Sequence, residues 1–565
     1  MANNQAAKDL KRPLQRLLQV LNLERKEIGA IYFYAILAGV LQLAMPLGIQ
    51  AIINFVLAGR LSTSIIVLII LVVISVFFTG LLQVNQMKII EKIQQRIFTR
   101  YSFEFAWRIP RLDLKKIDQY YLPEFVNRFF DTINLEKSLS RLLLDIPAAL
   151  IQVLFGLILL SLYANVFIIF SLLVLLILFL IIRITYARGL STSLDESEYK
   201  YEVAGWLEEI ARVLKSFQFS RGSSLPVDKT DLLVTKYLHA RTSHFRILLM
   251  QYWSLIGFKI LITAGMLIVG AVLLVSNEIN VGQFAAAEIV ILLVLASVEK
   301  LIRSLDKIYD ILTAVEKLGK VIDKPLEPEG TLGLDASLQG VSIQVNNVSF
   351  SYNDQRPILN NLSLKIGAGE KVCIRGGEGS GKSTFLKLLT GAYSDFDGNI
   401  LMNDVPLGNY KPVLLRSETG ILFNRLEIFQ GTLYENITLG DTNITTSQIN
   451  ALAAKLGISE FIASLKKGFD TEIDAVGNRL SSAVIRKVLL LRALVSSPKL
   501  LLLEEPWLGL DPECRRRIEQ YLLEEIPATT VVVITNDDSF ANRCNRIFYM
   551  HDGKVVREEQ PISKQ

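Results

Sequence analysis

One motif in the second half of the chain reads Gly376-Gly377-Glu378-Gly379-Ser380-Gly381-Lys382-Ser383-Thr384, and it fits the pattern G-x-x-x-x-G-K-S/T. The strand-like Lys371-Val372-Cys373-Ile374 precedes it and the helix-like Phe385-Leu386-Lys387-Leu388-Leu389 follows it, which is the context that a phosphate-binding loop requires. Glycines allow backbone N–H groups to converge on phosphates, and the N-terminus of the following helix favours their negative charge. All nine residues are therefore predicted to bind ATP, with Lys382 on the β- and γ-phosphates and Ser383 on Mg²⁺.

A second motif lies downstream, where the apolar run Lys499-Leu500-Leu501-Leu502-Leu503 ends in the carboxylates Glu504 and Glu505. Taken alone, it predicts a buried strand followed by an acidic turn. Downstream of a phosphate-binding loop it predicts an ATPase, in which Glu504 holds Mg²⁺ through water and Glu505, the catalytic residue, polarises the attacking water. From residue 341 onward, short β-rich runs alternate with helices, so this half is predicted to be an α/β P-loop nucleotide-binding domain.

The first half of the chain has a different composition, because almost all of the long uncharged stretches lie before residue 300. A bilayer core about 30 Å thick takes roughly 20 apolar residues in a helix. Apolar runs of about this length or longer cover residues 28–59, 64–84, 146–182, 253–275 and 281–298. The third run is long enough for a hairpin of two helices about Tyr163-Ala164-Asn165, which gives an α-helical transmembrane domain with six spans. A buried bundle in a soluble protein is excluded, because six such runs would expose too much apolar surface to water.

Basic residues indicate how the spans are oriented. The N-terminal segment and the long segments 88–141 and 183–250 carry many Lys and Arg, whereas the short connections near residues 60, 164 and 278 carry only Arg60. Both termini are therefore predicted to be cytoplasmic, and the two long segments are interpreted as helical excursions into the cytosol. The amphipathic segment Leu10–Leu23 is expected to lie along the inner membrane surface.

The charged residues and the cysteines give three further expectations about the chain. Glu288 lies early in the sixth span and is expected to face protein or a water-filled cavity; if the span begins later, Glu288 is an interfacial residue instead. Lys259 is expected to lie too near the cytoplasmic side to be its partner. The net charge of +5 over 565 residues gives no case for a nucleic-acid partner. The three cysteines, Cys373, Cys514 and Cys544, lack metal-ligand spacing and are expected to be free thiols.

These features divide the chain into four predicted segments. Residues 1–26 form a cytosolic amphipathic lead-in, and residues 27–320 form the transmembrane domain with its two cytosolic excursions. Residues 321–340, which contain Pro325, Pro328 and Gly330, are the linker. Residues 341–565 form the nucleotide-binding domain.

The order of these segments resembles a half-transporter of the ATP-binding cassette (ABC) exporter family across almost the whole chain. Five soluble segments carry the resemblance: Val348-Ser349-Phe350-Ser351-Tyr352, Ile428-Phe429-Gln430-Gly431-Thr432-Leu433, Glu435-Asn436-Ile437, Leu480-Ser481-Ser482-Ala483-Val484 and Leu510-Asp511. In the membrane half, Val281-Gly282-Gln283-Phe284 is also similar to this family. The run Leu43-Ala44-Met45-Pro46-Leu47-Gly48-Ile49-Gln50 resembles the type I protein secretion ATPases and peptide exporters.

The resemblance implies four further ATP contacts. Tyr352 would stack on adenine, and Asn424 stands where the family has its loop glutamine. Ser481 belongs to the segment that corresponds to the signature L-S-G-G-Q, and Asn536 stands where the family has its switch histidine. The sequence also departs from the family at Ser482, Ala483 and Val484, which replace the rest of the signature, and at Glu504, which replaces an aspartate. Phosphate binding is therefore expected to be intact, whereas turnover is expected to be weak.

Two functions remain open at this level. The first is an exporter subunit, in which two half-transporters, identical or different, sandwich ATP and couple its binding and hydrolysis to outward transport of a peptide, protein, lipid or other substrate. The second is a non-hydrolysing or weakly hydrolysing regulatory or scaffold subunit of a heteromeric ABC transporter. The expected partners are a second half-transporter, the lipid bilayer and a periplasmic adaptor protein. The expected location is the bacterial inner membrane, with the nucleotide-binding domain in the cytoplasm.

Overall fold

The computed structural model describes residues 2–59, 63–118, 121–220, 222–335, 337–352, 357–425, 427–473 and 480–561, with side chains described from residue 12 onward. The chain divides into two units. The helical unit comprises Met1–Pro110 and Tyr120–Lys324, and the α/β unit comprises Arg111–Gln119 and Pro325–Gln565. A segment of the first cytosolic excursion therefore belongs to the α/β unit.

The first part of the chain is almost entirely α-helical. In chain order, the helices are α1 (Ala2–Leu23), α2 (Arg25–Gln42), α3 (Ala44–Leu57), α4 (Thr63–Arg108), α5 (Leu114–Ile117), α6 (Leu122–Asn127), α7 (Asp131–Ser161), α8 (Val166–Arg212), α9 (Leu214–Gln218), α10 (Leu225–Val275) and α11 (Val281–Ile322). All of them except α5 lie in the helical unit. The helices α8 and α10 continue far beyond the length of a membrane span, as the expected cytosolic excursions require.

Six helical stretches in the described residues are long and apolar enough to cross a membrane. They are Arg25–Leu57, Thr63–Arg111, Leu122–Ser161, Val166–Arg212, Leu225–Val275 and Val281–Ile322. The predicted six-span helical domain is therefore confirmed.

Local sequence explains where these helices break. The first apolar run splits between Gln42 and Ala44, because Pro46 lacks an N–H and its ring would clash with the carbonyl of Gln42 in a continuous helix. The expected hairpin turn separates α7 from α8 at residues 162–165. The last long helix begins with a capping box, in which the Asn280 side chain accepts from the Gln283 backbone N–H and the Gln283 side chain accepts from that of Asn280.

The last long helix, α11, is the centre of the helical unit. In the most apolar 18-residue stretch of Val281–Ile322, half of the residues are buried, whereas in that of Thr63–Arg111 no residue is buried. At the contact with α7, a Cβ added to Gly156 would lie 2.8 Å from Cγ2 of Val294, so only glycine allows this approach. The more peripheral α4 presents Val73, Phe77 and other large apolar side chains outward, as expected of a surface that contacts lipid.

The α/β unit combines two sheets and a pair of short strands. Its strands are β1 (Ile343–Phe350), β2 (Leu359–Ile366), β3 (Lys371–Arg375), β4 (Asp397–Met402), β5 (Val405–Pro406), β6 (Thr419–Leu422), β7 (Gly431–Thr432), β8 (Glu472–Ile473), β9 (Leu500–Glu504), β10 (Thr530–Ile534), β11 (Arg546–His551) and β12 (Lys554–Glu559). Its helices are α12 (Lys382–Leu389), α13 (Pro412–Ser417), α14 (Leu433–Thr438), α15 (Thr446–Leu456), α16 (Ser459–Ser464), α17 (Ser482–Leu494), α18 (Pro512–Gln520) and α19 (Asp538–Ala541).

The larger sheet has the strand order β12-β11-β3-β10-β9-β6, and all its strands except the edge strand β12 are parallel. Alternate residues of β9 face different cores, so that Leu501 and Leu503 pack on the side of α17 while Leu500 and Leu502 pack on the side of α12. An antiparallel sheet of order β2-β1-β4-β5 covers the α12 side. Because β3, β10 and β9 are adjacent and parallel, their carboxyl ends meet at one edge, which confirms the predicted α/β P-loop fold.

The short helix α5 packs within the α/β unit, which the sequence did not predict. Lys115 Nζ donates to Asp395 Oδ2 at 2.7 Å and lies 5.6 Å from the ring centroid of Phe350. The Tyr393 hydroxyl donates to Asp118 Oδ2 at 3.1 Å. The segment Arg111–Gln119 thus covers an aromatic surface of this unit.

The three cysteines are free and buried, as expected. Burial raises the pKa of the Cys373 thiol to about 12 and raises those of Cys514 and Cys544. Their low thiolate content makes them unreactive core residues.

Candidate nucleotide-binding site

The glycine-rich loop between β3 and α12 has a backbone that depends on its glycines. Gly376, Gly379 and Gly381 have φ angles of 150°, 73° and 95°, which side chains disfavour. A Cβ on Gly376 would also lie 2.3 Å from the Met550 carbonyl oxygen. Gly381 is the N-cap of α12, so the N–H groups of the loop lie next to those at the N-terminus of this helix, as the predicted phosphate site requires.

Lys382 lies over this loop. Its Nζ donates to the carbonyls of Gly376 and Gly377 at 2.9 and 2.7 Å and to Ser380 Oγ at 3.0 Å. Burial lowers the pKa of Lys382, while the charges of Glu504, Glu505 and Glu378 act in the opposite direction. The ammonium group is therefore placed at the mouth of the loop, where it can transfer its hydrogen bonds to phosphate oxygens. Glu378 and Thr384 complete the loop, Glu378 exposed and Thr384 buried.

The two predicted Mg²⁺ ligands are in direct contact. Ser383 Oγ donates to Glu504 Oε1 at 2.6 Å, and the backbone N–H of Asn424 donates to Glu504 Oε2 at 3.1 Å. A hydroxyl and a carboxylate fit Mg²⁺, which prefers oxygen ligands and takes one or two from protein beside those of phosphates and water. Among the described residues, no group of three or more His, Cys, Asp or Glu side chains forms a metal site, so ATP itself would have to supply further ligands.

Glu505 follows directly after β9 and has a left-handed backbone, with φ at 43°. Its N–H donates to the Ile534 carbonyl at 2.9 Å, and its Oε2 accepts from Thr535 Oγ1 at 3.0 Å. Its own carbonyl accepts from Arg486 Nη1. These contacts turn the carboxylate toward the edge where β3 and β9 end, which suits the predicted general base.

Thr535 and Arg486 were not predicted from the sequence. Thr535 could have been found, because it directly follows β10 and the strand order places that position between the phosphate loop and Glu505. Arg486 could not, because an arginine within an apolar helical pattern is normally expected at the surface.

The two substituted family positions, Asn424 and Asn536, both lie at this edge with exposed side chains. Asn424 follows β6, and Asn536 follows β10. The backbone carbonyl of Asn536 accepts from Arg375 Nη2 at 2.8 Å, which ties it to the end of β3. Both amides are therefore near the predicted phosphates and can donate hydrogen bonds to them.

Tyr352 lies on the other side of the loop. Its hydroxyl is 3.2 Å from Thr384 Oγ1, and its ring packs against those of Phe350 and Tyr393 with centroid distances of 5.1 and 5.4 Å. The structure thus brings Tyr352 to the start of α12, on the side where the base of a bound nucleotide is predicted.

Ser481 is the one predicted ATP contact that the structure does not join to the loop. Its Oγ accepts from the Val484 N–H at 3.3 Å and caps α17. None of its hydrogen bonds in the described chain reaches the phosphate loop. The N-terminus of α17 therefore forms a separate part of the unit.

Comparison with known proteins identifies both halves. Residues 28–298 match the family model described as the ABC transporter transmembrane region. Residues 359–508 match the model described as ABC transporter. The chain belongs to the ABC transporter family. It is an integral, multi-pass membrane protein with a fused ATP-binding domain.

Three curated proteins are similar in sequence to this ABC transporter. The alpha-hemolysin translocation ATP-binding protein HlyB of Escherichia coli O157:H7 is 31% identical over 56% of this chain and 45% of its own. The ATP-dependent lipid A-core flippase of Burkholderia orbicola is 29% identical over 55% and 51%. The leukotoxin translocation ATP-binding protein LktB of Mannheimia glucosida is 31% identical over 51% and 41%. The chain thus spans about half the length of the curated relatives it matches.

A solved structure supports the fold of the ABC transporter along nearly its whole length. A bacterial Atm1-family ABC exporter with ATP bound superimposes with a TM-score of 0.81 at 19% sequence identity, covering 95% of both chains. At this identity the likeness concerns the fold alone.

Proposed function

We propose that this ABC transporter is an exporter half-subunit that couples ATP binding and hydrolysis to the outward movement of a substrate. The observation that carries the proposal is the convergence of Lys382, Ser383, Glu504 and Glu505 at the ends of β3 and β9, in a chain with six membrane-length helices. The alternative of a non-hydrolysing regulatory subunit is not favoured, because the relatives are named for translocation and flippase activities and because Glu505 is held in place.

In the proposed mechanism, Tyr352 contacts the adenine and the loop N–H groups surround the phosphates. Lys382 balances the charge of the β- and γ-phosphates, a charge-assisted interaction that strengthens as negative charge develops in the transition state. Ser383 and Glu504 would hold Mg²⁺, which neutralises phosphate charge when bound. Glu505 orients the attacking water and accepts its proton, and Asn536 donates a hydrogen bond to the γ-phosphate.

The site is proposed to be completed by a second half-transporter. The N-terminus of α17 carries N–H groups suited to an anion, and within the described residues the Ser481 hydroxyl bonds only to the Val484 N–H of its own helix. A second half-transporter, identical or different, would place this segment opposite the phosphate loop. We further propose that the protein lies in a bacterial inner membrane with the α/β unit in the cytoplasm.

The names of the relatives suggest the class of substrate. Two of the three are named for the translocation of alpha-hemolysin and of leukotoxin, and one is named as a lipid A-core flippase. A protein, peptide or lipid substrate is therefore proposed. A periplasmic adaptor protein is proposed as a further partner if the substrate is a protein.

The test is ATP turnover by the full chain in lipid nanodiscs. The parent protein should bind and hydrolyse ATP, Glu505→Gln should bind ATP with almost no turnover, and Lys382→Ala should bind it 10- to 150-fold more weakly, for a charge-assisted contact of about 1.5–3 kcal/mol. A parent chain that binds ATP but shows no turnover, alone or with a co-purified second half-transporter, would support the regulatory subunit instead.

A further inference from the structure

Arg486 is an arginine in the interior of the α/β unit. It lies in the second turn of α17, and only 3% of its surface is exposed. In the described part of the chain it forms no ion pair, and its Nε is buried without a hydrogen-bond partner. A buried charge without an ion-pair partner costs free energy, so stability alone does not explain an arginine here.

The single hydrogen bond of Arg486 in the described chain is made to the predicted catalytic residue. Its Nη1 donates to the backbone carbonyl of Glu505, which also accepts from the Leu508 N–H at 3.2 Å. Glu505 has a left-handed backbone, which disfavours any residue with a side chain. Such a conformation persists only when its surroundings fix it, and the guanidinium contributes one of the bonds that do so.

The charge of Arg486 acts on the same residues. The charges of Glu505 and Glu504, in that order, favour its protonated form against the effect of burial, so the guanidinium interacts with both carboxylates. A guanidinium remains charged throughout the accessible pH range. Arg486 therefore provides a fixed positive charge near Glu504 and Glu505 from the interior of the α/β unit. Lys382, which also interacts with these two carboxylates, lies at the phosphate loop.

We propose that Arg486 is a positioning residue for hydrolysis, which fixes the strained backbone of Glu505 at the end of β9 and so holds its carboxylate in place. This inference rests on the proposed ATPase function and adds a residue to its machinery. The buried charge, which costs stability, is then explained by its contribution to activity through Glu505, a trade-off that is common in enzymes.

A comparison residue lies on the same helix. Arg492 is also largely buried, and burial lowers its pKa as it does that of Arg486. Its guanidinium donates to the carbonyls of Asn436 and Glu427 at 2.7 and 3.0 Å, away from the acidic pair. It serves as a control for the loss of a buried arginine from α17.

The experiment uses the full chain in nanodiscs with the variants Arg486→Met, Arg486→Lys and Arg492→Met. Arg486→Met keeps the apolar volume and should leave the melting temperature unchanged or higher. Its kcat should fall about 10- to 100-fold with little change in the KM for ATP, as for a misplaced catalytic group. Arg486→Lys keeps a buried donor and should recover part of the lost kcat, and Arg492→Met should leave the kcat per folded protein and the KM near those of the parent.

Two results would overturn the proposal. One is an Arg486→Met protein whose kcat matches that of the parent; the other is a loss of kcat that only parallels a loss of folded protein, as in Arg492→Met. If the parent itself shows no turnover, the proposed function fails, and amide hydrogen exchange then tests the inference separately. The Glu505 N–H, which donates to the Ile534 carbonyl, should exchange faster in Arg486→Met than in the parent and in Arg492→Met, and unchanged exchange would reject the role of Arg486.

Discussion

The hydroxyl of Ser383 donates to the carboxylate of Glu504 across 121 positions of sequence, at 2.6 Å. The first residue follows the phosphate-loop lysine and the second ends β9, so the contact joins the two motifs that the sequence identified separately. It also places two oxygen ligands side by side, which gives a direct prediction about Mg²⁺.

Ser383→Ala should raise the Mg²⁺ concentration for half-maximal turnover by about tenfold or more, because one oxygen ligand is lost. ATP binding measured in EDTA should change little. Thr390→Ala is a matched control, since Thr390 Oγ1 donates to the Lys387 carbonyl and accepts from the Ala392 N–H at the far end of α12. An equal shift in both variants would argue against Ser383 as a ligand.

The affinity for ATP should fall as pH rises in the alkaline range. Burial lowers the pKa of Lys382 in the ATP-free protein, and only its charged form binds phosphate well. Below that pKa the lysine is already protonated and contributes no pH dependence; above it, binding must take up a proton, and the Kd rises. Lys382→Arg stays charged and should lack this slope. Parallel Kd curves for the two proteins from pH 7 to 10 would contradict the prediction.

Turnover of the purified chain should be slow and should increase on restoring family residues. Ser482 and Ala483 add Cβ atoms where a signature would bring backbone N–H groups close to phosphate, and loss of one such donor typically costs on the order of 10²–10³ in rate. The variant carrying Ser482→Gly, Ala483→Gly and Asn536→His should therefore gain turnover. The gain should vanish when Glu505→Gln is added. Brisk turnover by the parent chain would show that these substitutions matter little.

Glu288 should prove to be a functional carboxylate of the sixth span. It is half-buried, and its Oε1 is buried without a hydrogen-bond partner in the described chain. Lys259 pairs with Glu299, so it is not available to Glu288, as expected. Glu288→Gln should weaken the stimulation of ATP turnover by cationic substrates, because a carboxylate within the membrane is costly unless it faces protein or a water-filled path, where it would bind a cationic group. Glu278→Gln, at an exposed position before the span, is the control. Unaltered transport of every substrate tested would remove this role.

Much of the fold was predictable because its determinants are local. The turn at residues 162–165 and the break before Pro46 follow from residue types within a few positions. The meeting of Ser383 with Glu504 was also predictable, because the carboxyl ends of parallel strands share one edge.

The remaining features depend on contacts that no local pattern records. The hydrogen bond from Thr535 to Glu505 requires the strand order β3-β10-β9, and the hydrogen bond from Arg486 to the Glu505 carbonyl joins α17 to the residue that follows β9. The packing of α5 in the α/β unit depends on Asp395 and Tyr393, which lie far along the chain from Lys115 and Asp118.

This packing of α5 determines how the protein can be cut into pieces. A fragment that begins at Pro325 would contain every residue of the phosphate site, yet it would lack Lys115 and Asp118 and so uncover the rings of Phe350 and Tyr393. Tyr352 packs on both of these rings. A fragment truncated at Pro325 would therefore expose these aromatic rings next to Tyr352, the predicted adenine contact, and would tend to associate through them. Fusing the segment Arg111–Gln119 to the N-terminus of the fragment should cover the rings again.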